Sequence, residues 1–584
     1  MNAEEFRKYG KEMVDFVADY WQTIRERKPI STVSPGYIKQ LVPPEAPVCA
    51  ETWEQIFADI EPVVVNGNTH WHHPKFFAYF PTACSYHSIM GDILSGGLAS
   101  VGFTWVPPEA PVCAETWEQI FADIEPVVVN GNTHWHHPKF FAYFPTACSY
   151  HSIMGDILSG GLASVGFTWK SSPSMTELEL RMTDWLARAF GLPAVFLNED
   201  EGPGAGIIQS TASDATFIAI LAARGRMVER IKATEDTNKS ATDGAAGETF
   251  GNLKISAAPS IDIGRVNDTQ CHDPTIISRL IAYSSDQAHS SVDKGAMLAA
   301  VRLRKLKATQ GGPLNNYRVT ADILRAAIQE DKKNGLIPFI FVATVGTTST
   351  CGVDPVDELA PICNSEGIWV HVDSAYAGSF LLCPEYRYLG KGLEWVDSFN
   401  TNVHKSLHIN FDCSPMWFKD AREAVKYFDV EPLYLKHEHQ ANSLDYRHLQ
   451  IALGRRFRSL KIWFVMRNLG NEQLRQHLRK MNELAEYFAE LVSKDELLEL
   501  FVPRHLGLVC FRIKNSVNEM NERLNLVLNE DRRVHIVPAS VNGVYFLRFA
   551  ICSQLTNRED ILAAHATIHE FVTKIVAGGS KTPQ

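Results

Sequence analysis

Apolar positions recur at helical spacing near the start of the chain and in short continuous runs further along it. Between residues 4 and 27, aromatic and aliphatic side chains fall at i, i+3, i+4 and i+7, which predicts an amphipathic helix. The runs IPFIFVATV (337–345) and IWVHVD (368–373) predict buried strands, and a helical pattern separates them. Together they predict a βαβ unit with parallel strands, and therefore an α/β fold.

Shifts in this pattern predict the domain organisation. Residues 1–41 are expected to form a helical segment, whose wide aromatic stripe packs either on its own chain or across a second subunit as a dimerisation element. Residues 170–460 form the large domain, and residues 232–274, rich in small and polar side chains, a mobile insertion within it. Residues 461–584 combine a helical stretch with strand-like alternation, which predicts a small C-terminal α/β domain.

Sixty-four residues occur twice in tandem without a difference, as residues 42–105 and 106–169. Removing one 64-residue copy from the 584-residue chain leaves 520 residues. A solenoid needs about three or more units, so one copy is expected to be surplus. The Pro-rich junction VPPEAPV should tolerate an insertion better than GFTW–KSSP. We therefore expect residues 42–105 to be looped out, with Trp71, Phe76 and Phe77 exposed, and residues 106–169 to build the substrate pocket.

Composition narrows the function classes. A chain with 45% hydrophobic and 21% charged residues can bury a large core, and the net charge of −11 argues against a nucleic-acid partner. Eleven cysteines without a C-x-x-C pair indicate a reducing compartment. No apolar run is long enough to span a bilayer. We therefore expect a cytoplasmic enzyme with a small-molecule substrate and no membrane partner.

Four local features predict a cofactor site. Small residues and hydroxyls at 202–213 lead into a helix, which favours an anion such as phosphate, although an ordinary helix cap is the alternative. Asp373 ends a buried strand, where a carboxylate needs a cationic partner. Lys405 and His289 each follow a further strand-like segment, and lysines are rarely buried unless paired or covalently used. A phosphate cradle, an aspartate for a pyridine nitrogen, a Schiff-base lysine and a stacking ring are what pyridoxal phosphate requires.

The segments HVDSAYAG, NTNVHKS, AYSSDQAHSS, THWHHPKFFAYFPTA and LGRRFRSLK closely resemble the aromatic-L-amino-acid decarboxylases, within the group II pyridoxal-phosphate decarboxylases. The resemblance covers nearly the whole chain except residues 232–274 and one repeat copy. It implies a pyridoxal-phosphate fold of the aspartate-aminotransferase type (fold type I), with a mainly parallel sheet. It also implies a homodimer with shared active sites.

The resemblance further implies individual roles. Lys405 would hold pyridoxal 5'-phosphate as a Schiff base, Asp373 would pair with the pyridinium nitrogen, and His289 would stack on its ring and help to place the substrate. Tyr434 matches a mobile-loop tyrosine that protonates the carbanion. The other positions around the cofactor and its phosphate are Ala212, Ser213, Thr348, Ser398, Asn402 and His404. The substrate positions are Trp135, Tyr143, Phe144, Pro145, Thr146 with its twin Thr82, and Phe167, which is lent to the neighbouring subunit.

The implied reaction is decarboxylation of L-dopa, 5-hydroxytryptophan or tryptophan to the amine and carbon dioxide, as in catecholamine and serotonin biosynthesis. One alternative is an aromatic acetaldehyde synthase, but such relatives replace the stacking histidine or the loop tyrosine, whereas His289 and Tyr434 are both present. A second is a histidine or tyrosine decarboxylase, which resemble each other in having Ser where this chain has Gly454. A third is a paralogue that the duplication has inactivated.

Two further clusters are expected to be structural. His70, His72 and His73 lack cysteine or acidic ligands at suitable spacing, so no metal site is expected. The run containing Arg455, Arg456 and Arg458 lies in an acidic chain and is expected to form salt bridges.

Overall fold

A computed structural model describes residues 1–79, 84–98, 116–198, 202–243, 273–440 and 443–579. The helices within these ranges are α1 (Ala3–Thr23), α2 (Tyr37–Leu41), α3 (Trp53–Ala58), α4 (Tyr86–Leu98), α5 (Trp117–Asp123), α6 (Tyr150–Leu162), α7 (Pro173–Phe190), α8 (Ala212–Asp243), α9 (Pro274–Ile277), α10 (Ser290–Leu298), α11 (Ala321–Lys333), α12 (Val356–Ser365), α13 (Val403–Ser406), α14 (Ala421–Val425), α15 (Ser459–Lys494), α16 (Asn518–Asp531) and α17 (Arg558–Gly579). Within these ranges, every helix is too short or too polar to cross a membrane.

The strands within the described ranges fall into three sheets. In chain order they are β1 (Ala205–Gln209), β2 (Leu280–Ser285), β3 (Arg302–Leu306), β4 (Thr309–Gly311), β5 (Asn316–Arg318), β6 (Ile337–Thr344), β7 (Trp369–Asp373), β8 (Ser398–Asn400), β9 (Ser414–Phe418), β10 (Leu498–Leu500), β11 (Leu508–Ile513), β12 (Val537–Val541) and β13 (Val544–Ala550).

The central seven-stranded sheet has the order β1-β9-β8-β7-β6-β2-β3. Neighbours from β8 to β3 pair in parallel, whereas β9 is antiparallel to both β8 and β1. All strands except β9 therefore run in one direction, and their carboxyl ends lie at one edge of the sheet. The predicted α/β class and the predicted strands at β6 and β7 are confirmed. This edge is where a ligand site is expected in such a sheet.

The C-terminal part forms a second, antiparallel sheet with the order β10-β11-β13-β12. Helices α15 and α16 pack on it, and α17 packs on both of these helices. Because α15 also packs on α6 and α7, the small sheet is joined to the large one through a shared helical layer. At the other end of the chain, α1 buries Met13, Val17 and Tyr20 and packs on α6.

The first halves of the two repeat copies have the same local structure but different burial. Thr52 in copy one and Thr116 in copy two each cap a helix through the same capping box, and each helix is followed by a π-helical turn. Trp53 and Ile56 of copy one are buried in the main core. Their counterparts in copy two, Trp117 and Ile120, are exposed. The main core therefore takes the first half from copy one.

The second halves show the reverse arrangement. Helix α6 of copy two is buried along most of its length and packs on α15. Its counterpart α4 in copy one leaves Tyr86 and Met90 exposed. The expectation that residues 42–105 are looped out is therefore wrong. The surplus is the middle of the duplicated stretch, from the second half of copy one to the first half of copy two.

Chain continuity accounts for this arrangement. The beginning of copy one is joined to α2 and packs beside it, and the end of copy two is joined to α7. Copy one is held by Arg467 of α15, which donates to Glu51 and forms a 2.7 Å ion pair with Asp59. Neither junction has to carry an inserted loop. The predicted exposure is accordingly right for Phe77 but wrong for Trp71, which is buried, and for Phe76, which is half-buried.

The prediction of a mobile insertion over residues 232–274 is wrong for its first part. Helix α8 continues without a break to Asp243, so residues 232–243 are helical. The polar composition did not stop the helix because this stretch still contains good helix formers such as Lys232 and Glu235. Residues 244–272 lie outside the described ranges, and α9 begins at Pro274.

Candidate active site

A cavity of about 360 Å³ lies at the edge where the parallel strands end. Residues after β1, β2, β6, β7 and β8 surround it, together with a stretch of the second repeat copy. The sequence-predicted residues that line it are Lys405, Asp373, His289, Ala212, Ser213, Thr348, Asn402, His404, Trp135, Tyr143, Phe144 and Thr146. Twelve positions named from motifs far apart in the chain are thus brought together.

Lys405 and Asp373 are presented by neighbouring strands. Asp373 is the last residue of β7 and is 4% exposed, and its Oδ1 accepts the backbone N–H of Ala375 at 3.0 Å. Lys405 lies in the one-turn helix α13, just after β8, and its backbone N–H donates to Asn402. Burial lowers the pKa of Lys405, and the Asp373 carboxylate opposes that shift. A lysine amine with a lowered pKa is a better nucleophile near neutral pH.

His289 is held in one orientation by the start of α10. It caps this helix, and its Nδ1 accepts the backbone N–H of Ser291 at 3.1 Å and lies 2.9 Å from the Ser291 hydroxyl. A ring nitrogen that accepts a backbone N–H carries no proton, so the neutral ring carries its proton on Nε2. Burial lowers the pKa of His289, and Asp373 opposes this shift. The neutral ring can therefore lie against a flat cofactor and donate one hydrogen bond.

The N-terminus of α8 forms the anion-binding end of the cavity. Thr211 and Asp214 cap it reciprocally: the Thr211 hydroxyl donates to the Asp214 carboxylate and accepts the Asp214 N–H. Among the described residues, the N–H groups of Ala212 and Ser213 have no acceptor, as in the first turn of any helix. Free N–H groups and the helix dipole together favour a phosphate at this position.

Salt bridges and hydrogen bonds next to the anion-binding end of the cavity hold the turn that precedes α8. The Arg458 guanidinium donates to Ser210 Oγ at 2.9 Å and pairs with Asp412 at 2.7 Å. Arg455 pairs with the buried Glu179, which accepts the N–H of Ile208 on β1. The arginine run therefore forms salt bridges, as the sequence predicts. These contacts hold β1 and the turn that leads from it into α8.

Aromatic rings from the second repeat copy form one wall. The Phe144 ring stacks on Tyr376 with a centroid distance of 3.7 Å and an interplanar angle of 16°. Lys405 Nζ lies 5.7 Å and the Arg548 guanidinium 4.9 Å from the centre of the same ring. Further out, Trp135 stacks on Tyr143 at 5.5 Å. The wall is apolar, rigid and flanked by positive charge.

Two predicted cofactor residues near Lys405 form side-chain hydrogen bonds to the segment that leads into β9. His404 Nδ1 accepts the N–H of Cys413 at 2.9 Å, and burial lowers its pKa to about 3. Asn402 Oδ1 accepts the Ser414 hydroxyl at 2.6 Å. Both side chains therefore fix the loop that presents Lys405.

Five predicted site residues do not line this cavity. Ser398 is the first residue of β8, and its hydroxyl accepts a hydrogen bond from Trp369 Nε1 at 2.9 Å. Tyr434 is 63% exposed and lines a different cavity. Its proposed catalytic role stays a prediction. The other three are Pro145, which is buried behind the wall, Phe167, which packs elsewhere, and Thr82, which lies outside the described residues.

The cavity also contains residues that the motifs did not single out as site residues. Gly346 follows β6 with φ +90°, and a Cβ there would lie 2.6 Å from that of Ala377, so a larger residue is excluded. Tyr376 lies within HVDSAYAG, and its aromatic character was the available signal. The full set of additional lining residues is Thr211, Ser291, Thr344, Gly346, Ala375, Tyr376 and Phe411.

The histidine cluster of the repeat serves packing in copy one. His70 Nδ1 lies 2.8 Å from the Tyr20 hydroxyl, and the His72 ring lies 4.8 Å from that of Trp21. In the described ranges, three potential metal ligands converge only at Asp429, Glu431 and His448, away from the cavity. The His70 ring is thus part of the interface between α1 and the repeat.

The donor set of the cavity fits pyridoxal phosphate. A lysine amine, a buried carboxylate, a neutral imidazole and a helix N-terminus are the groups that its aldehyde, ring nitrogen, ring face and phosphate require. The buried hydroxyl of Thr344, which also lines the cavity, has no partner within the described chain. A bound ligand would supply one.

Comparison with known proteins gives the same class. The pyridoxal-dependent decarboxylase conserved domain matches residues 35–116, 106–245 and 262–514. The chain is 42% identical to the aromatic-L-amino-acid decarboxylase of Manduca sexta, over 96% of this chain and 90% of the relative. It is 39% identical to that of Cavia porcellus, over 99% of both chains. Tryptophan decarboxylase of Catharanthus roseus, solved with L-tryptophan, superposes with a TM-score of 0.70 at 31% identity, covering 98% of this chain and 99% of that one.

The chain belongs to the pyridoxal-dependent decarboxylase family. Its cofactor is pyridoxal phosphate, and its fold is that of these enzymes. The first two domain matches overlap at residues 106–116, where copy two begins, so the domain is matched afresh from the start of the second copy.

Proposed function

We propose that this protein decarboxylates aromatic L-amino acids to the corresponding amines and carbon dioxide. The observation that carries the proposal is the single cavity in which Lys405, Asp373 and His289 face a wall of aromatic rings. Its volume of about 360 Å³ lies in the range of small-molecule sites. The named functions of the relatives from Manduca sexta and Cavia porcellus support the same substrate class.

Each polar group of the cavity has a defined task. Lys405 holds the cofactor through its amine, and the Ala212 and Ser213 N–H groups hold the phosphate. The Asp373 carboxylate keeps a proton on the ring nitrogen. When bound, pyridoxal phosphate accepts the electron pair that remains after carbon dioxide leaves. His289 lines the same cavity and would lie against the ring face, with a proton on Nε2 that it could donate to the substrate.

The aromatic wall selects the side chain of the substrate. Tyr143 and Phe144 offer flat apolar surfaces, and aromatic pairs gain about 0.5–1.5 kcal/mol beyond the burial of their area. The small cavity and its aromatic walls favour an indole or catechol ring, which gains contact with these flat apolar surfaces. L-Dopa, 5-hydroxytryptophan and tryptophan are the substrates we propose, with catecholamine or serotonin synthesis as the setting.

Two further parts of the proposal concern the setting of the enzyme. We place it in the cytoplasm, supported by free thiols at all nine described cysteines. We also propose a homodimer as the catalytic form, as the resemblance implies.

A substrate panel with full product accounting tests the proposed reaction. The purified chain, loaded with pyridoxal phosphate, is given L-dopa, 5-hydroxy-L-tryptophan, L-tryptophan, L-histidine and L-glutamate, and carbon dioxide, amine, aldehyde and peroxide are measured. We expect equal amounts of amine and carbon dioxide from the aromatic substrates, without peroxide. Aldehyde with peroxide would identify an acetaldehyde synthase instead. Absence of carbon dioxide from every aromatic substrate would contradict the proposal.

A further inference from the structure

A group of buried polar side chains lies next to Asp373 on strands β7 and β8. His371, Ser398 and Asn400 are all 0% exposed, so their polar atoms depend on partners within the protein. His371 is the register partner of Ser398, and Asp373 is the register partner of Asn400. Side chains two positions apart on a strand share a face, as do register partners on neighbouring strands. The four side chains therefore lie together on one face of the sheet.

The hydroxyl of Ser398 fixes the tautomer of His371. It accepts a hydrogen bond from Trp369 Nε1 at 2.9 Å and lies 2.8 Å from His371 Nδ1. An indole N–H only donates, so the serine keeps its own O–H to donate, and His371 Nδ1 is the acceptor at hydrogen-bond distance. Burial lowers the pKa of His371 to about 4, so the ring is neutral at pH 7. Its single proton is therefore on Nε2.

The atoms between this proton and Asp373 have no hydrogen-bond partner. His371 Nε2 and both side-chain amide atoms of Asn400 are buried and unpaired within the described chain. The Asp373 carboxylate and the Asn400 side chain are both close enough to oppose the effect of burial on the pKa of His371. The Asn400 backbone is fixed here, since its carbonyl oxygen accepts the N–H of Ser374 at 3.0 Å. A side-chain amide can accept from one neighbour and donate to another, which would pair all of these atoms.

We propose that His371 and Asn400 are positioning residues that keep Asp373 in its charged form. Ser398 donates to His371 Nδ1, and His371 Nε2 donates to Asn400 Oδ1. Asn400 Nδ2 then donates to the Asp373 carboxylate, whose Oδ1 also accepts the N–H of Ala375. Every donor in this chain points toward the carboxylate, and donors to a carboxylate favour its ionised form.

The inference rests on the role that the proposed function gives to Asp373. An aspartate holds a proton on the ring nitrogen of pyridoxal phosphate only while it is itself ionised, and burial alone favours the protonated carboxyl. The hydrogen-bond chain opposes that effect of burial. It also gives a task to Ser398, which the family resemblance implies as a cofactor residue although it does not line the cavity. Ser398 acts on the site through His371.

Cofactor affinity in the absence of substrate tests the proposal. The full chain is freed of cofactor and titrated with pyridoxal phosphate and with an analogue that has C–H in place of the ring nitrogen. We expect His371→Phe to weaken the binding of pyridoxal phosphate about tenfold, as for the loss of one hydrogen bond to a charged group. The analogue has no ring proton for Asp373 to hold, so its binding should not be weakened. Neither result depends on which amino acid the enzyme decarboxylates.

Two further variants of the chain check its direction and its members. His371→Gln can still accept from Ser398 and donate to Asn400, so it should keep most of the affinity for pyridoxal phosphate. Asn400→Leu leaves the histidine in place and should show the same contrast between the two ligands as His371→Phe. Equal weakening of both ligands by His371→Phe and Asn400→Leu, or unchanged binding of pyridoxal phosphate to both variants, would overturn the proposal.

Controls separate this role from packing of the core. Ser284→Ala removes a buried hydroxyl that is also unpaired within the described chain, but on β2, two strands away from β7. It should leave both affinities unchanged. In the Asp373→Asn background, His371→Phe should cause no additional loss of affinity for pyridoxal phosphate, because the hydrogen-bond chain no longer ends on a charge. An additive loss in that double variant, or the same contrast between the ligands in Ser284→Ala, would contradict action through Asp373.

Discussion

Lys405 Nζ lies 5.7 Å from the centre of the Phe144 ring, so the lysine of the large domain and an aromatic residue of the second repeat copy share one cavity. Phe144 is also stacked on Tyr376. The repeat is therefore part of the catalytic site, and its described lining residues, from Trp135 to Thr146, all belong to copy two.

Removal of the Phe144 ring should weaken the reaction. We expect Phe144→Ala to lower kcat/KM for an aromatic substrate about tenfold, equivalent to about 1.4 kcal/mol, because the stacked wall and its ring contact are lost. Phe121→Ala changes an exposed ring of the same copy and is the control. Steady-state kinetics of both variants decide the point: equal values for the two would show that the wall does not contact substrate.

Loss of the negative charge at Asp373 should lower activity more strongly than loss of the Phe144 ring. We expect Asp373→Asn to lower kcat by about 100-fold or more, because a neutral amide does not hold a proton on the cofactor ring nitrogen. Asp373→Glu retains the charge and should retain more activity. Cofactor occupancy is measured alongside turnover, and an Asn variant that binds cofactor and turns over at the parent rate contradicts this role.

The protonation of His289 should lower kcat/KM on the acid side of its pH profile. Burial lowers the pKa of His289 below its usual value, so the ring stays neutral at pH 7. We expect the acid limb of kcat/KM to lie below pH 6.5. Asp293 raises the pKa of His289, so Asp293→Asn should move the limb to still lower pH. A limb at or above pH 7, or a shift in the opposite direction, would show that another group titrates.

Asp354 should give the fold a measurable pH dependence. Burial raises the pKa of Asp354 from 3.8 to about 6, although it accepts the N–H groups of Val319 and Thr344. The folded protein then binds this proton more tightly than the unfolded chain, so the free energy of unfolding falls as pH rises from about 4 through about 6.

The substitution Asp354→Asn removes this titration. The stability of the variant relative to the parent should therefore increase with pH across that window, as measured by denaturant unfolding at pH 4.5 and pH 7. Asp322→Asn, at a carboxylate with 97% side-chain exposure, is the control. A constant stability difference between the Asp354 variant and the parent would contradict the raised pKa.

The repeat shows which part of the fold a sequence determines locally. Trp53 and Trp117 occupy identical sequence, begin the same helix and follow the same capping box, yet they are 4% and 40% exposed. Local structure was predictable because it depends on neighbouring residues. Burial was not, because it depends on the tertiary contacts of each copy, and the sequence comparison weighed only the two ends of the duplicated stretch as places for the insertion.

The candidate site likewise contains residues that the sequence predicted and contacts that it did not. Lys405, Asp373 and His289 were predictable because each follows an apolar strand, and parallel strands bring their carboxyl ends together. The contact of Tyr376 with Phe144 joins residues more than two hundred positions apart and has no local signal. Tyr434 lies on an exposed turn, whose position relative to the cavity is set by tertiary packing rather than by the motif.

The attachment point of the cofactor tests the central claim most directly. The holoenzyme is treated with borohydride, which fixes pyridoxal phosphate to the lysine that holds it, and the labelled peptide is identified by mass spectrometry. Lys405 is predicted to carry the label, and Lys405→Ala is predicted to carry none and to lose turnover while its circular dichroism is unchanged. A label on a different lysine of the parent chain, or full activity in the Lys405 variant, would contradict the assignment of this cavity as the active site.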